Sequence, residues 1–278
     1  MSSAADRLQL KPSSPPTPQS ADHMAPKALL VSGVSVRFGG VVALDDVSLT
    51  VSPNEVVGII GPNGAGKTSL FNAICRLVAI QRGTITYGEQ SLLDLRAPRL
   101  AGLGVARTLQ GLGYWPRMSV LDNVVMGAPS RTQLFADMLA TPRAEARASA
   151  RSREAMILLD ELGIADRAGS LPSVIPYGAQ KRMVIARALM SHPTLLLLDE
   201  PASGLAANEV DELVQLLRRL RDDMSILLVE HHLDMVMAAS DRITVLNLGR
   251  VIASGTPGEI RANPAVAVAY LGEQAANA

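Results

Sequence analysis

The sequence predicts an α/β fold with a buried parallel sheet at its centre, an antiparallel β portion and a helical insertion. Three patterns predict it. Val56-Val57-Gly58-Ile59-Ile60, Leu195-Leu196-Leu197-Leu198 and Ile226-Leu227-Leu228-Val229 are apolar runs without a polar face, as in strands covered on both sides. Between Ala28 and Val51 apolar and polar residues alternate, the two-residue period of strands with one exposed face. Residues 143–162 are rich in Ala, Arg and Glu and place Met156, Leu158, Leu159 and Leu162 at helical spacing.

Taken in order, residues 1–27 are rich in Ser, Pro and Ala, including Ser13-Ser14-Pro15-Pro16-Thr17-Pro18. Such a tail buries too little surface to order itself and is expected to be disordered. The folded domain is expected over 28–272. Strands Ala28–Phe38 and Val41–Val51 flank Gly39-Gly40, and Pro53-Asn54 turns the chain into strand Val56–Ile60. A helix comes next, through Ile74, then a short strand at Gly83–Gly88. The helical insertion is expected at about 112–190. Beyond it come strand Thr194–Asp199, helix Glu209–Asp222, strand Ser225–Glu230 and helix Leu233–Ala239. A hairpin of Ile243–Asn247 and Arg250–Ser254 closes the domain, leaving 273–278 as a C-terminal tail.

The chemistry begins where strand Val56–Ile60 ends. Gly61-Pro62-Asn63-Gly64-Ala65-Gly66-Lys67-Thr68 is G-x-x-x-x-G-K-[ST], with Ser69 next, set between a strand and a helix. Glycines let the backbone curl with N–H groups inward, forming an anion nest at a helix N-terminus. Lys67 can then reach the β- and γ-phosphates of a nucleoside triphosphate, and Thr68 can offer its hydroxyl to Mg²⁺. Asp199-Glu200 ends the four-leucine run. A carboxylate there can hold Mg²⁺, and the next one can polarise an attacking water.

Composition narrows the classes. With 26 basic and 26 acidic residues the charges cancel, so no overall electrostatic case exists for nucleic acid or anionic membrane. No apolar run approaches the ~18 residues that span a bilayer, and no signal-peptide h-region is visible. One cysteine, Cys75, excludes an internal disulfide and suits a reducing compartment. The chain reads as cytoplasmic. No N-K-x-D run, as a GTPase would use for its base, occurs.

With these motifs the chain resembles the ATP-binding cassette ATPases, in particular those serving branched-chain amino-acid importers. The likeness runs from about Leu29 to Gly272 and implies a RecA-like core. Val105-Ala106-Arg107-Thr108-Leu109-Gln110 is similar to the family's glutamine loop, which makes Gln110 a Mg²⁺- and water-sensing residue. Ser119–Val124 comes after it as in the family. Ile175-Pro176-Tyr177-Gly178-Ala179-Gln180 resembles the signature loop, so Pro176, Tyr177 and Gly178 would complete a partner's nucleotide site. Ser203-Gly204-Leu205-Ala206 occupies the D-loop position, and Leu228-Val229-Glu230-His231 matches the switch-histidine strand, with His231 toward the γ-phosphate. Phe38 stands where an aromatic residue stacks on adenine. Val268–Glu273 is also like the branched-chain subgroup.

The resemblance implies Mg²⁺ and ATP, a second cassette, identical or homologous, two membrane permeases and an external solute-binding protein, at the cytoplasmic face of the inner membrane. Three departures stand out: Pro176 replaces the serine that opens the signature, Ala179 replaces a polar residue, and Ala206-Ala207 leave the D-loop without a side chain for bonding across a dimer. They leave open a regulatory cassette that binds ATP but hydrolyses it weakly. Related importers carry urea, amides or other small solutes. A soluble cassette acting on ribosomes or DNA is disfavoured, since those carry two cassettes or long coiled coils.

Overall fold

The computed structural model describes residues 24–108, 112–128 and 142–276. Gln110 and residues 1–23 of the expected tail lie outside the described residues. Of residues 24–27, also assigned to the tail, Lys27 is tied to the body: its N–H donates to the Tyr87 hydroxyl at 3.3 Å.

Four strands form an antiparallel sheet: β1 (Leu29–Phe38), β2 (Val41–Val51), β4 (Arg82–Tyr87) and β5 (Gln90–Ser91), in the order β2-β1-β4-β5. The other sheet has six strands: β3 (Val56–Ile60), β6 (Val105–Arg107), β7 (Leu195–Asp199), β8 (Ser225–Val229), β9 (Arg242–Asn247) and β10 (Arg250–Gly255). Its order is β10-β9-β3-β8-β7-β6, parallel except for the β9–β10 hairpin. The apolar runs of β3, β7 and β8 are explained by their two-sided burial. Val56, Ile60, Leu196, Leu198, Ile226 and Leu228 join one core cluster, with residues of the helical segments. Their alternates Val57, Ile59, Leu195, Leu197, Leu227 and Val229 join a second, with the antiparallel sheet and Leu70, Phe71 and Ile74.

The helices are α1 (Lys67–Ile74), α2 (Val120–Val125), α3 (Pro142–Glu161), α4 (Tyr177–Leu189), α5 (Ala207–Leu220), α6 (Leu233–Ala239), α7 (Pro257–Ala262) and α8 (Pro264–Ala276). Helix α8 runs past 272, so the expected C-terminal tail begins inside a helix. Ser119 caps α2, its hydroxyl accepting from the Asp122 N–H at 3.1 Å. Asn123, fully buried, saturates its amide: it donates to the carbonyls of Trp115, Met118 and Ser119 and accepts from the Trp115 N–H. That fixes the loop entering α2. Arg187 of α4 donates to the Gly113 carbonyl at 2.8 Å and lies 5.4 Å from the Trp115 ring centre, joining the same loop to α4.

Candidate nucleotide site

Three adjacent parallel strands aim their C-terminal ends at one place. The register pairs Ile59 of β3 with Val229 of β8, and Val229 with Asp199 of β7. The segments beyond the strand ends are therefore brought together: the phosphate loop after β3, Glu200 after β7, and Glu230-His231 after β8.

Two glycines of the loop after β3 have no room for a side chain. Gly61 has φ 152°, and a Cβ there would collide with the Leu246 carbonyl oxygen. Gly66, with φ 101°, caps α1 with no side-chain acceptor, and a Cβ would stand 2.6 Å from the Ala43 carbonyl oxygen. The hairpin turn after β9 braces the loop: the Gly249 N–H donates to the Ala65 carbonyl at 3.0 Å, and the Asp45 N–H to the Gly249 carbonyl at 2.8 Å. Lys67, buried, donates from Nζ to the carbonyls of Gly61 at 2.6 Å and Pro62 at 3.0 Å, so its ammonium lies inside the curl. Asn63, Gly64 and Thr68 face outward, and no acidic side chain occupies the first turn of α1. A helix N-terminus without a side-chain cap, a buried ammonium and an exposed hydroxyl suit a polyphosphate with its cation.

Asp199 is buried and held by Arg107, whose Nη2 lies 3.2 Å from Oδ2. The Asp199 N–H donates to the Thr108 hydroxyl at 3.3 Å. Burial raises the Asp199 carboxyl above its ordinary value, Arg107 pulls the other way, and the Glu200 charge adds to the rise. Arg107 also donates to Asn72 Oδ1 at 3.0 Å and sits 4.8 Å from the Phe71 ring centre, so one guanidinium links β7 to α1. The oxygen donors Thr68 and Asp199 fit a hard divalent cation such as Mg²⁺. Among the described residues no three His, Cys, Asp or Glu side chains converge, so such a cation would rely on phosphate oxygens for its remaining ligands.

Glu200 adopts φ 48°, a left-handed conformation costly for a side chain with a Cβ. Three bonds hold it: its N–H donates to the Val229 carbonyl at 2.9 Å, while its carbonyl accepts from Lys181 Nζ at 2.9 Å and from the Ser203 N–H at 3.3 Å. His231 has a half-exposed side chain, with Nδ1 3.7 Å from Glu230 Oε2. His232 lies beside it, the rings 4.6 Å apart. Phe38 is 51% exposed at the β1–β2 turn, with an open apolar face beside Val41 and Val42.

The signature-like loop touches a different segment. Pro176 is the N-cap of α4 and supplies no side-chain cap. Tyr177 is exposed and leans on Gly204, where a Cβ would meet its ring at 2.9 Å. Gly178 is buried against Glu209, whose carboxylate also accepts the Ala206 N–H at 2.9 Å. Lys181, one turn along α4, is the residue whose ammonium reaches the Glu200 carbonyl. Sequence reasoning missed three contributors: Arg107, Lys181 and the buried Glu230. Arg107 stood within a stretch singled out for Gln110, but only the β6–β7 register, pairing Arg107 with Leu197, points it toward Asp199.

A family model described as ABC transporter matches residues 44–203, and one described as branched-chain amino acid ATP-binding cassette transporter matches 250–276. The chain is 41% identical over 254 residues to the high-affinity branched-chain amino acid transport ATP-binding protein LivG of Salmonella typhimurium, covering 90% of this chain and all of that protein. It is 37% identical to BraF of Pseudomonas aeruginosa, a protein of the same description, with the same coverage. Among solved structures, the ADP conformation of MJ1267, an ATP-binding cassette of an ABC transporter, superposes with a TM-score of 0.77 at 27% identity over 89% of this chain and 99% of that one. The chain belongs to the ABC transporter family, as an ATP-binding cassette.

Proposed function

We propose that this ATP-binding cassette is the ATP-hydrolysing subunit of an importer for branched-chain amino acids. The observation that carries the hydrolytic part is the single row of chemistry across β3, β8 and β7. The likeness to LivG and BraF along nearly the whole chain supports the solute.

The work is divided among distinct groups. Gly61, Asn63, Gly64, Ala65, Gly66 and Ser69 wrap the phosphates with their backbone, Pro62, which has no N–H, fixes the turn among them, and Lys67 pairs with the β- and γ-phosphates. Phe38 stacks on adenine. Thr68 and Asp199 would hold Mg²⁺, a role the family resemblance extends to Gln110; that cation would neutralise charge on the phosphate oxygens. Glu200 orients the attacking water and accepts its proton as the new O–P bond forms and the bond from the γ-phosphorus to the β–γ bridging oxygen breaks, with ADP as the leaving group. His231 donates to the γ-phosphate oxygens as charge builds there. Pro176, Tyr177 and Gly178 close over the nucleotide of a second cassette, identical or homologous, so hydrolysis is completed only between two subunits.

No described helix is long and apolar enough to cross a membrane. Two permease subunits therefore supply the pore and an external binding protein the solute, with this chain on the cytoplasmic side. A groove of about 400 Å³ between the core and the helical segments, lined by Leu77, Leu100, Trp115 and Met126, offers the permease an apolar seat. Closure around ATP drives the transport step, and product release resets it.

The direct test is Mg²⁺-dependent ATP hydrolysis and leucine uptake by the transporter reconstituted with wild type, Lys67→Ala and Glu200→Gln. Turnover and uptake lost in both variants supports the reading; uptake that persists in Glu200→Gln refutes it. A second reading, a cassette that binds ATP but turns it over slowly, is favoured by Pro176, which offers no hydroxyl at the start of α4. Nucleotide binding without hydrolysis in every assembled preparation would select it.

A further inference from the structure

We propose that Glu230 is a positioning residue that ties the Glu200 turn to the His231 segment, so that the two reaction-facing groups are set by one carboxylate. This role rests on the functions proposed for Glu200 and His231.

Glu230 is fully buried, which is rare for a glutamate without a partner. It accepts from three backbone amides of two segments, and the His231 Nδ1 lies 3.7 Å from its Oε2. Oε1 accepts the Ala202 N–H at 2.6 Å; Oε2 accepts the His231 N–H at 3.0 Å and the His232 N–H at 3.3 Å. Its own N–H donates to the Ile59 carbonyl at 3.2 Å, anchoring the junction to the strand that leads into the phosphate loop. Charge-assisted bonds of this kind are short and strong, and they answer the desolvation of the buried carboxylate.

This side chain does more than fill space. Ala202 is buried two residues after Glu200, in a turn whose other internal bonds are Ser203 N–H to the Glu200 carbonyl and Leu205 N–H to the Ala202 carbonyl. Glu200 keeps its left-handed φ of 48° only while its surroundings over-determine it. Fixing Ala202 from one oxygen and the His231-His232 backbone from the other makes Glu230 a rigid strut between those surroundings and the histidine. A shift of the Glu200 turn is then transmitted to His231, and the reverse. Neutral or apolar side chains of the same length cannot accept from both segments at once without presenting a donor, or nothing, to one of them.

The test uses the assembled transporter with Glu230→Gln and Glu230→Asp. In Glu230→Gln one end of the amide presents N–H groups to backbone N–H groups. The expected result is a kcat for ATP about 10²-fold lower with the nucleotide KM unchanged. Amide hydrogen exchange should also rise together in 200–206 and 230–233. Glu230→Asp keeps the charge but is one methylene short, so it should retain the His231 and His232 bonds and lose Ala202. Its turnover should be intermediate, with faster exchange in 200–206 alone. Wild-type kcat in Glu230→Gln, or exchange that rises in only one of the two segments, overturns the proposal. Should Glu230→Gln fail to fold, the Asp variant decides by its own two readouts, wild-type turnover or unchanged exchange overturning the proposal. Glu200→Gln, run in parallel, separates the two layers: full hydrolysis in that variant removes the role given to Glu200, whereas the exchange result tests the strut by itself.

Discussion

The phosphate loop and the signature-like loop both place glycines at the start of a helix, yet their surroundings are opposite. The loop before α1 is finished within the chain. Its lysine is bonded to two of the loop's own carbonyls, and the β9–β10 turn braces it through Gly249. The loop before α4 is left open. Pro176 and Tyr177 are exposed, the helix end has no side-chain cap, and Gly178 is pressed by Glu209 from behind. A glycine confined from the inside with an unfilled helix end on the outside is shaped for something another molecule brings. In the proposed function the first region binds nucleotide in its own right and the second acts only on a partner.

The comparison is broken most severely at Lys67. Lys67→Ala removes the one ammonium inside the curl, so turnover should fall by at least about 10²-fold and nucleotide affinity by about tenfold, read by hydrolysis and by titration with a fluorescent nucleotide. Retained affinity would mean the loop's amides suffice. Gly61→Ala comes next. Its φ and the Leu246 carbonyl oppose a side chain, so thermal unfolding should show a loss of about 1–3 kcal/mol, with weakened nucleotide binding. An unchanged melting temperature would show the loop to be less confined than its geometry implies.

Pro176→Ser sharpens the other side. A hydroxyl at the N-cap accepts from the first turn of α4 and should add about 1 kcal/mol to stability while raising hydrolysis in the assembled transporter. Nucleotide affinity of the isolated chain should not change. The smallest expected effect is a probe rather than a perturbation. Burial pushes the Cys75 thiol up to about 11, with Arg107 opposing, so at pH 8 only about one thiol in a thousand is ionised. Because the folded value exceeds the ordinary 9.0, that group's contribution to stability is present below pH 9 and is lost as pH rises toward 11. Native alkylation should be slow in wild type and Pro176→Ser, and faster in Gly61→Ala, by mass spectrometry.

Much of the molecule is legible in the sequence because it is local. The phosphate loop, the carboxylates ending β7 and the buried runs each declare themselves within a dozen residues. The strands at Val41–Val51, Val56–Ile60 and Ser225–Val229 arise from hydrophobic pattern alone. The hidden parts depend on register and distance in the chain. Val105–Arg107 is too short to announce a strand, yet its pairing with β7 delivers Arg107 to Asp199. Glu230 reads as an ordinary strand-end acid until β8 is seen between β3 and β7. Helices α7 and α8 carry no periodic signal. The first depends on a reciprocal cap, the Thr256 N–H donating to Glu259 Oε2 at 2.7 Å and the Glu259 N–H to the Thr256 hydroxyl at 3.4 Å, and the second is apolar without a clear period.

The central claim, that one loop binds nucleotide unaided while the other acts only across a pair, is met most directly by one variant measured twice. Gly178→Asp sets a carboxylate against Glu209 and toward the partner's phosphates. We expect the isolated Gly178→Asp chain to bind nucleotide with wild-type affinity and the reconstituted transporter carrying it to lose at least about tenfold in turnover. Weakened nucleotide binding by the isolated variant, or full turnover by the assembled one, would contradict the account.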